Sequence, residues 1–254
     1  MSVPSEITAV LQTERGRQVR AAFAGLGITV GALLAGLIGV ISMGGLVSLF
    51  DLTESPVVRV LQGNYIQVGF AGAYLVRQGD WNRYVKIRGP TFEDIDWIVG
   101  LPLLFAAQGM VLPPILAAVG LPHPQPGTGM EELALETRPL LWPIAFTGMY
   151  LFAAPAEELV YRGLVQGRLR AAFDTLGVVI LGGLLFGVMH FLVGLMTQGV
   201  SFGGSLYWGI DTVVPGLVWG YAYERTENLL VTVVTHAMAW TVALHEIVLY
   251  VLRI

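Results

Sequence analysis

The chain has 254 residues, of which 55% are hydrophobic and only 13% are charged, and its formal net charge is −4. A typical soluble domain carries about 25% charged residues, so this composition excludes an ordinary soluble globular protein. The mean hydropathy of +0.69 indicates an integral membrane protein, and the small, dispersed charge indicates no nucleic-acid partner. The sequence contains no cysteine, which excludes disulfides, thiolate metal sites and a cysteine nucleophile.

Apolar stretches of roughly 20 residues predict seven membrane-spanning helices. In chain order they cover about 21–47, 57–76, 97–119, 140 to 168 or 170, 176–196, 206–223 and 229–252. A short eighth element is expected within 130–136, inside an irregular loop that is rich in proline and glycine. The predicted fold class is therefore all-α: a polytopic membrane bundle of about seven to eight transmembrane helices. We expect one integral membrane domain over 1–254, with its motif-bearing core at about 140–252.

The basic residues predict the orientation of the bundle. With seven spans, eleven of the fourteen lysines and arginines fall on one side of the membrane. The positive-inside rule places that side in the cytoplasm. We therefore expect a multi-pass protein of the cell membrane with a cytoplasmic N-terminus.

Two adjacent carboxylates, Glu157 and Glu158, interrupt the fourth predicted helix. Charged groups inside a bilayer cost several kcal/mol and usually mark function. Adjacent helical positions point about 100° apart, so the two glutamates have different surroundings. Glu158 and Arg162 are spaced i, i+4, which favours an ion pair and leaves Glu157 as the freer carboxylate. The alternative is a structural salt bridge at a helix end near the lipid headgroups.

Two later predicted helices each contain one histidine near mid-membrane, His190 and His236. Helical rise places Glu157 and both histidines roughly 10–21 Å from one membrane face, so the three side chains can meet in one cavity. A carboxylate and imidazoles around a water molecule can hydrolyse an amide, with glutamate as general base. Taken singly, each histidine is better explained as a packed, hydrogen-bonded residue. One glutamate and two histidines also match a catalytic zinc shell, although no His-Glu-x-x-His pair is present.

These residues resemble the CAAX prenyl protease and bacteriocin-processing family of intramembrane proteases, also called the Abi family. Its Glu-Glu-x-x-x-Arg motif matches Glu157, Glu158 and Arg162, and its Phe-x-x-x-His motif matches Phe186 and His190. Its late histidine matches His236. The order and the spacing agree over roughly 155–243, whereas the first 140 residues match only as membrane helices.

The resemblance implies an intramembrane endopeptidase that cuts a peptide bond in a membrane-associated or leader-bearing substrate. By it, Glu157 activates water together with His190, His236 helps to form an oxyanion hole, and Glu158 and Arg162 support them. The expected partners are the bilayer and a peptide or protein substrate, prenylated or otherwise membrane-anchored. Metal dependence stays open. A metal-free water held by Glu157 and His190 is slightly favoured, but the family has been called metalloproteases, and a divalent ion such as zinc would take Glu157, His190 and His236 as ligands.

One position departs from the family pattern. In prenyl-protein proteases an asparagine often follows the last histidine by four residues, whereas this chain has Trp240. An indole offers a single N–H donor, which weakens the assignment of a prenyl-protein substrate. Two other functions stay open at this point: a non-catalytic membrane scaffold or bacteriocin-immunity factor, and a proton-coupled transporter. The transporter is disfavoured because no internal repeat is visible.

Overall fold

The structure is a computed structural model that describes residues 13–49, 64–124 and 139–241. Throughout these ranges all regular secondary structure is helical, which confirms the all-α prediction for the described part of the chain. Three helical stretches are long and apolar enough to cross a membrane: Glu14–Gly45, Phe92–Ala118 and Thr175–Met196. The chain is thus a helical membrane protein, and the total of seven to eight spans stays a prediction. The element predicted at 130–136 lies outside the described residues.

The first part of the chain forms four helices. They are α1 (Glu14–Leu49), α2 (Asn64–Gln78), α3 (Trp81–Tyr84) and α4 (Phe92–Ala118). Residues 57–63 of the second predicted span lie outside the described residues. A capping box starts α4: the Thr91 hydroxyl accepts from the Asp94 amide, and the Asp94 carboxylate accepts from the Thr91 amide, which satisfies two backbone donors at the helix start.

The fourth predicted span is a composite helix that runs without a break over 139–169. A 3₁₀ turn (Pro139–Leu141) opens it, followed by α5 (Trp142–Gly148), a π-helical segment (Met149–Ala153), α6 (Ala154–Glu158), a second π-helical segment (Leu159–Val165) and α7 (Gln166–Leu169). Proline lacks an N–H and clashes with the carbonyl four residues earlier. Pro155 is the second residue of α6, so the carbonyl four residues earlier, that of Leu151, lies within the first π segment, where the wider turn accommodates the proline.

The last described helices are α8 (Thr175–Met196), α9 (Phe202–Thr226) and α10 (Leu229–Thr241). Asp174 caps α8 and Ser201 caps α9 through their side-chain oxygens. The α8 and α9 backbones approach closely at glycines. A Cβ added to Gly187 would lie 2.7 Å from the Gly209 carbonyl oxygen, and one added to Gly183 would lie 2.9 Å from the Leu217 nitrogen. These glycines therefore serve close packing between the two helices.

The non-helical segment 85–91 between α3 and α4, here called the strap, connects the first half of the chain to the turn between α9 and α10. The Lys86 carbonyl accepts from the Leu229 amide at 2.8 Å, and the Lys86 amide donates to the Tyr223 hydroxyl at 3.0 Å. Arg88 donates to both carboxylate oxygens of the buried Asp94, at 2.6 and 3.1 Å, and to the Thr226 carbonyl at 2.6 Å. The strap therefore holds the turn against the start of α4.

Candidate active site

The glutamate pair lies at the centre of the composite helix, where α6 is flanked by the two π segments. Isolated π turns inside α-helices occur frequently at functional sites. Here the wider turns break the regular i to i−4 hydrogen bonding on both sides of the pair: the Ala154 amide bonds to the Met149 carbonyl and the Gln166 amide to the Tyr161 carbonyl. Glu157 and Glu158 thus lie on a short α-helical segment that has π-helical hydrogen bonding on both sides.

Glu158 forms a buried charged cluster with two partners. Its Oε2 accepts from Nε of Arg162 at 3.0 Å, and its Oε1 accepts from Nδ1 of His236 at 2.8 Å. The side chains of Glu158 and Arg162 are fully buried, and that of His236 is 2% exposed. Both ions lie in the protein interior, and Glu158 also contacts a histidine from α10, so the pair is not a solvent-exposed salt bridge at the end of a helix.

Glu157 faces the two histidines. Its Oε2 lies 3.8 Å from Nε2 of His236 and 4.0 Å from Nε2 of His190. Both separations exceed a direct hydrogen bond, and this buried oxygen has no hydrogen-bond partner among the described protein atoms. The Glu157 side chain is 15% exposed and that of His190 is 10% exposed. A water molecule about 2.8 Å from each atom can bridge separations of this size.

The hydrogen bonds fix which imidazole nitrogen faces Glu157. Nδ1 of His190 lies 3.0 Å from the Phe186 carbonyl, which can only accept, so this nitrogen carries a proton. Nδ1 of His236 donates to Glu158 in the same way. In the neutral ring the other nitrogen then carries a lone pair. Nε2 of each ring can therefore accept a hydrogen bond when the ring is neutral and donate one when the ring is protonated.

Aromatic rings set the orientation of His236. Trp219 stacks on it at 4.0 Å between ring centroids with an interplanar angle of 25°, and Trp240 covers it at 4.2 Å. The Trp219 indole N–H donates to the Thr235 hydroxyl at 3.1 Å. Trp219 could not be predicted as a site residue from the sequence, because a single tryptophan in an apolar helix does not stand out from its neighbours. Trp240 contacts the histidine directly, so the departure from asparagine lies at the site itself.

The ring of Phe186 packs against both His190 and His236. Its ring centroid lies 4.5 Å from that of His190 and 5.9 Å from that of His236, and the Arg162 guanidinium lies 5.3 Å from it. A guanidinium over an aromatic face is attracted by the ring quadrupole. Phe186 therefore contributes in two ways: its carbonyl fixes the tautomer of His190, and its ring packs between the charged cluster and the histidines.

The described residues contain no group of three or more histidine, cysteine, aspartate or glutamate side chains arranged to hold a metal ion. Glu157 Oε2 and the two Nε2 atoms are chemical types that zinc accepts. Ligands at zinc distances lie about 3.3 Å from one another in a tetrahedral shell, whereas Oε2 lies 3.8 and 4.0 Å from the two nitrogens. The separations are thus wider than a zinc shell requires.

All five residues singled out from the sequence lie in one cluster formed by three elements. Glu157, Glu158 and Arg162 come from the composite helix, His190 from α8 and His236 from α10. The i, i+4 ion pair and the freer position of Glu157 match what the spacing predicted. Two contacts were not predicted: the bond between His236 and Glu158, and the stacking of Trp219 on His236.

Comparison with known proteins is informative over this region only. Residues 139–242 match the family described as Rce1-like, type II CAAX prenyl endopeptidase. Neither curated proteins nor solved structures match the chain. The matched range starts with the composite helix and includes every residue of the cluster, which confirms the resemblance drawn from the motifs. Over this range the chain is similar to the Rce1-like family of CAAX prenyl endopeptidases.

Proposed function

We propose that the chain is an intramembrane endopeptidase of the CAAX type, in which Glu157 activates water for attack on a peptide bond. The observation that carries the proposal is the position of Glu157 Oε2, within 4.0 Å of Nε2 of both His190 and His236 and without a protein hydrogen-bond partner. Similarity to a protease family supports the same reaction class.

The proposed reaction begins with a water molecule between Glu157 and His190. Nε2 of His190 accepts one O–H of the water and orients it, while Glu157 takes the other proton as general base. The oxygen attacks the peptide carbonyl carbon, a new C–O bond forms, and the carbonyl electrons move to the oxygen. Collapse of this intermediate breaks the C–N bond, and Glu157 returns the proton to the departing amine.

His236 is proposed to stabilise the oxyanion. With a proton on each nitrogen, it donates Nδ1–H to Glu158 and has Nε2–H for the developing negative charge. Removal of one oxyanion donor typically costs about 10²–10³-fold in turnover. Glu158 and Arg162 are then supporting residues, which keep the imidazole oriented in a water-poor environment where such a donor is most effective.

We propose that the reaction needs no metal ion, since Oε2 of Glu157 and the two Nε2 atoms are spaced for a bridging water rather than for a zinc shell. The proposed substrate is a membrane-associated or leader-bearing peptide or protein. Similarity to the family favours a prenylated Cys-a-a-X end, whereas Trp240 beside His236 counts against it. We further propose seven to eight spans and a cytoplasmic N-terminus. Protease protection of an N-terminal tag in sealed vesicles tests the orientation, because a cytoplasmic tag stays protected in right-side-out vesicles.

The test uses the purified full chain in proteoliposomes with two peptides of the same sequence, one farnesylated and one not. We expect cleavage of the farnesylated peptide, loss of cleavage in Glu157→Gln, and normal cleavage in Glu93→Gln, which changes an exposed glutamate at the start of α4. Equal turnover by Glu157→Gln would remove the proposed base. A chelator should leave the rate unchanged; inactivation that zinc reverses would contradict the metal-free mechanism.

A further inference from the structure

A second set of polar groups continues from the charged cluster toward the end of the composite helix. The composite helix carries polar side chains four residues apart at Glu158, Arg162 and Gln166, and Arg170 continues this spacing directly after the last helical residue. The facing helix α9 repeats the same spacing with Gly216, Gly220 and Glu224. Because residues four apart share one helix face, the two rows lie opposite each other. We call the contacts among Arg162, Gln166, Glu224 and Arg170 the polar ladder.

Each step of the ladder is a hydrogen bond to the facing helix. Nη1 of Arg162 donates to the Gly216 carbonyl at 2.9 Å, and Nε2 of Gln166 donates to the Gly220 carbonyl at 3.3 Å. A Cβ added to Gly220 would lie 3.4 Å from Oε1 of Gln166 and 3.5 Å from Nη1 of Arg162. These are ordinary van der Waals distances, so the ladder side chains pack directly against the α9 backbone at Gly220.

The ladder is also continuous along its own length. Oε1 of Gln166 accepts from Nη1 of Arg162 at 3.4 Å, and Nε2 of Gln166 donates to Oε1 of Glu224 at 2.8 Å. Arg170 closes the ladder, donating to the same oxygen from Nε at 2.8 Å and from Nη2 at 2.5 Å. Together with the bonds from Arg162 to Glu158 and from Glu158 to His236, an unbroken series of contacts reaches the site.

The negative charge of Glu224 fixes the orientation of the Gln166 amide, and with it the donor-to-acceptor direction of this series of hydrogen bonds. An amide has one donor end and one acceptor end, and Gln166 is fully buried, so neither end has water as an alternative. The Glu224 carboxylate requires the donor end, which turns the acceptor end toward the Arg162 guanidinium. The reversed amide would set two donors against each other at Arg162 and two acceptors at Glu224. The side chains of Glu224 and Arg170 are 11% and 24% exposed, so the ladder ends at the protein surface.

We propose that Gln166 and Glu224 are positioning residues of the protease site. Gln166 contacts Arg162 directly, Glu224 orients Gln166, and through Arg162 the two residues fix Glu158 and the imidazole of His236. This inference rests on the proposed function, since the imidazole must be held still to stabilise an oxyanion. Neither residue contacts the reacting atoms, so their loss should lower kcat and leave substrate binding almost unchanged.

The test measures kcat and KM in proteoliposomes together with thermal unfolding. We expect Gln166→Met to lower kcat about 10- to 100-fold, the range typical of outer-shell partners, with KM changed less than about threefold. Glu224→Gln removes the charge that orients the amide, and we expect it to lower kcat about tenfold. The Gln166→Met/Glu224→Gln pair should be no worse than Gln166→Met alone, because residues that act as one unit are not additive.

Exchanging the charged and neutral side chains at positions 166 and 224 tests whether the lost activity can be restored. Gln166→Glu alone buries a second carboxylate against Glu224 and should lower kcat. Gln166→Glu combined with Glu224→Gln restores an acceptor facing Arg162 and a donor facing position 166, and we expect kcat to recover to within about threefold of the parent. The matched control is Arg88→Gln, which removes an ion pair in the strap and has no contact with the ladder. It should lower the unfolding temperature and leave kcat unchanged.

Two results would overturn the inference. One is a normal kcat in the ladder variants despite a lowered unfolding temperature, which would make the ladder purely structural. The other is failure of the charge exchange to raise kcat above that of Gln166→Glu. Glu157→Gln, measured in parallel, separates this inference from the proposed function. If Glu157→Gln is inactive and the ladder variants are normal, only the ladder proposal fails; if Glu157→Gln is fully active, the proposed function itself fails.

Discussion

Nδ1 of His236 lies 2.8 Å from Oε1 of Glu158, although 78 residues separate them in the chain. This hydrogen bond joins the first sequence motif to the last and ties α10 to the composite helix. A buried carboxylate that accepts from one imidazole nitrogen orients the ring and directs the other nitrogen. Here the other nitrogen is the Nε2 atom that faces Glu157 at 3.8 Å.

Glu157→Gln should abolish most turnover without unfolding the protein. The substitution keeps the side-chain shape and removes the base, and general base catalysis contributes typically about 10²–10⁴-fold. Because Oε2 of Glu157 has no hydrogen-bond partner among the described protein atoms, the unfolding temperature in detergent should stay within a few degrees of the parent. Steady-state kinetics and thermal unfolding check both parts. Strong destabilisation would show instead that Glu157 is a structural residue.

Glu158 and Arg162 should be coupled in stability but not in activity. Removing one partner of a buried ion pair typically costs about 3–5 kcal/mol, whereas replacing both is often close to neutral. We therefore expect Glu158→Gln and Arg162→Met each to lower the unfolding temperature strongly. The double variant should recover much of the loss yet remain inactive, because His236 has lost its carboxylate. Additive destabilisation in a double-mutant cycle would argue against a direct ion pair.

Close contact between α8 and α9 should be necessary for activity. A Cβ at Gly187 would lie 2.7 Å from the Gly209 carbonyl oxygen and closer still to a methyl of Val213. Gly187→Ala must therefore push the helices apart one turn before His190, and we expect kcat to fall at least about tenfold, since small misplacements at a site are costly. The matched control is Gly72→Ala in α2, where a Cβ meets nothing within 4 Å and helix propensity improves. Equal activity of both variants would contradict the prediction.

The strap should contribute to stability rather than to chemistry. The buried Asp94 accepts two bonds from Arg88 and one from the Thr91 amide. We expect Asp94→Asn to cost about 2–3 kcal/mol, because charged hydrogen bonds and a helix cap are lost together. Chemical unfolding measures this loss, and kcat of the folded fraction should match the parent. A selective fall in kcat would show that the strap reaches the site.

One ion pair outside the helices should depend on pH. Donation from the Lys86 ammonium lowers the pKa of the Glu227 carboxyl below its ordinary value. A lowered acid pKa stabilises the fold above the unfolded-state pKa, and this contribution disappears as the pH falls through the folded-state pKa. Glu227→Gln should therefore be slightly less stable than the parent at pH 7 and equal to it once the pH lies well below the lowered pKa of Glu227. A difference that grows in acid would contradict this sign.

The residues of the site could be predicted because the bilayer makes ionisable groups rare in membrane helices. Glu157, Glu158 and Arg162 stand out against an apolar background, and helical spacing alone separates the paired glutamate from the freer one. Depth along each helix also follows from the sequence, since every residue adds the same rise.

Other features of the site could not be predicted from the sequence. The π segments beside α6 depend on how the composite helix packs, so hydropathy predicts only one long helix. Gln166 and Glu224 come from different helices, and their meeting depends on the rotation of α9 about its axis. A glycine pair such as Gly216 and Gly220 indicates close packing but not that its carbonyls accept bonds from Arg162 and Gln166.

The sequence by itself determined that this is a helical membrane protein with a family-specific set of carboxylates and imidazoles, because apolar run length, helical periodicity and motif spacing are properties of the chain. Only the tertiary structure decided that Glu158 bonds to His236, that Trp219 and Trp240 enclose the imidazole, and that Glu157 faces both Nε2 atoms. Those relationships depend on the relative rotation and depth of separate helices, which close packing between them sets.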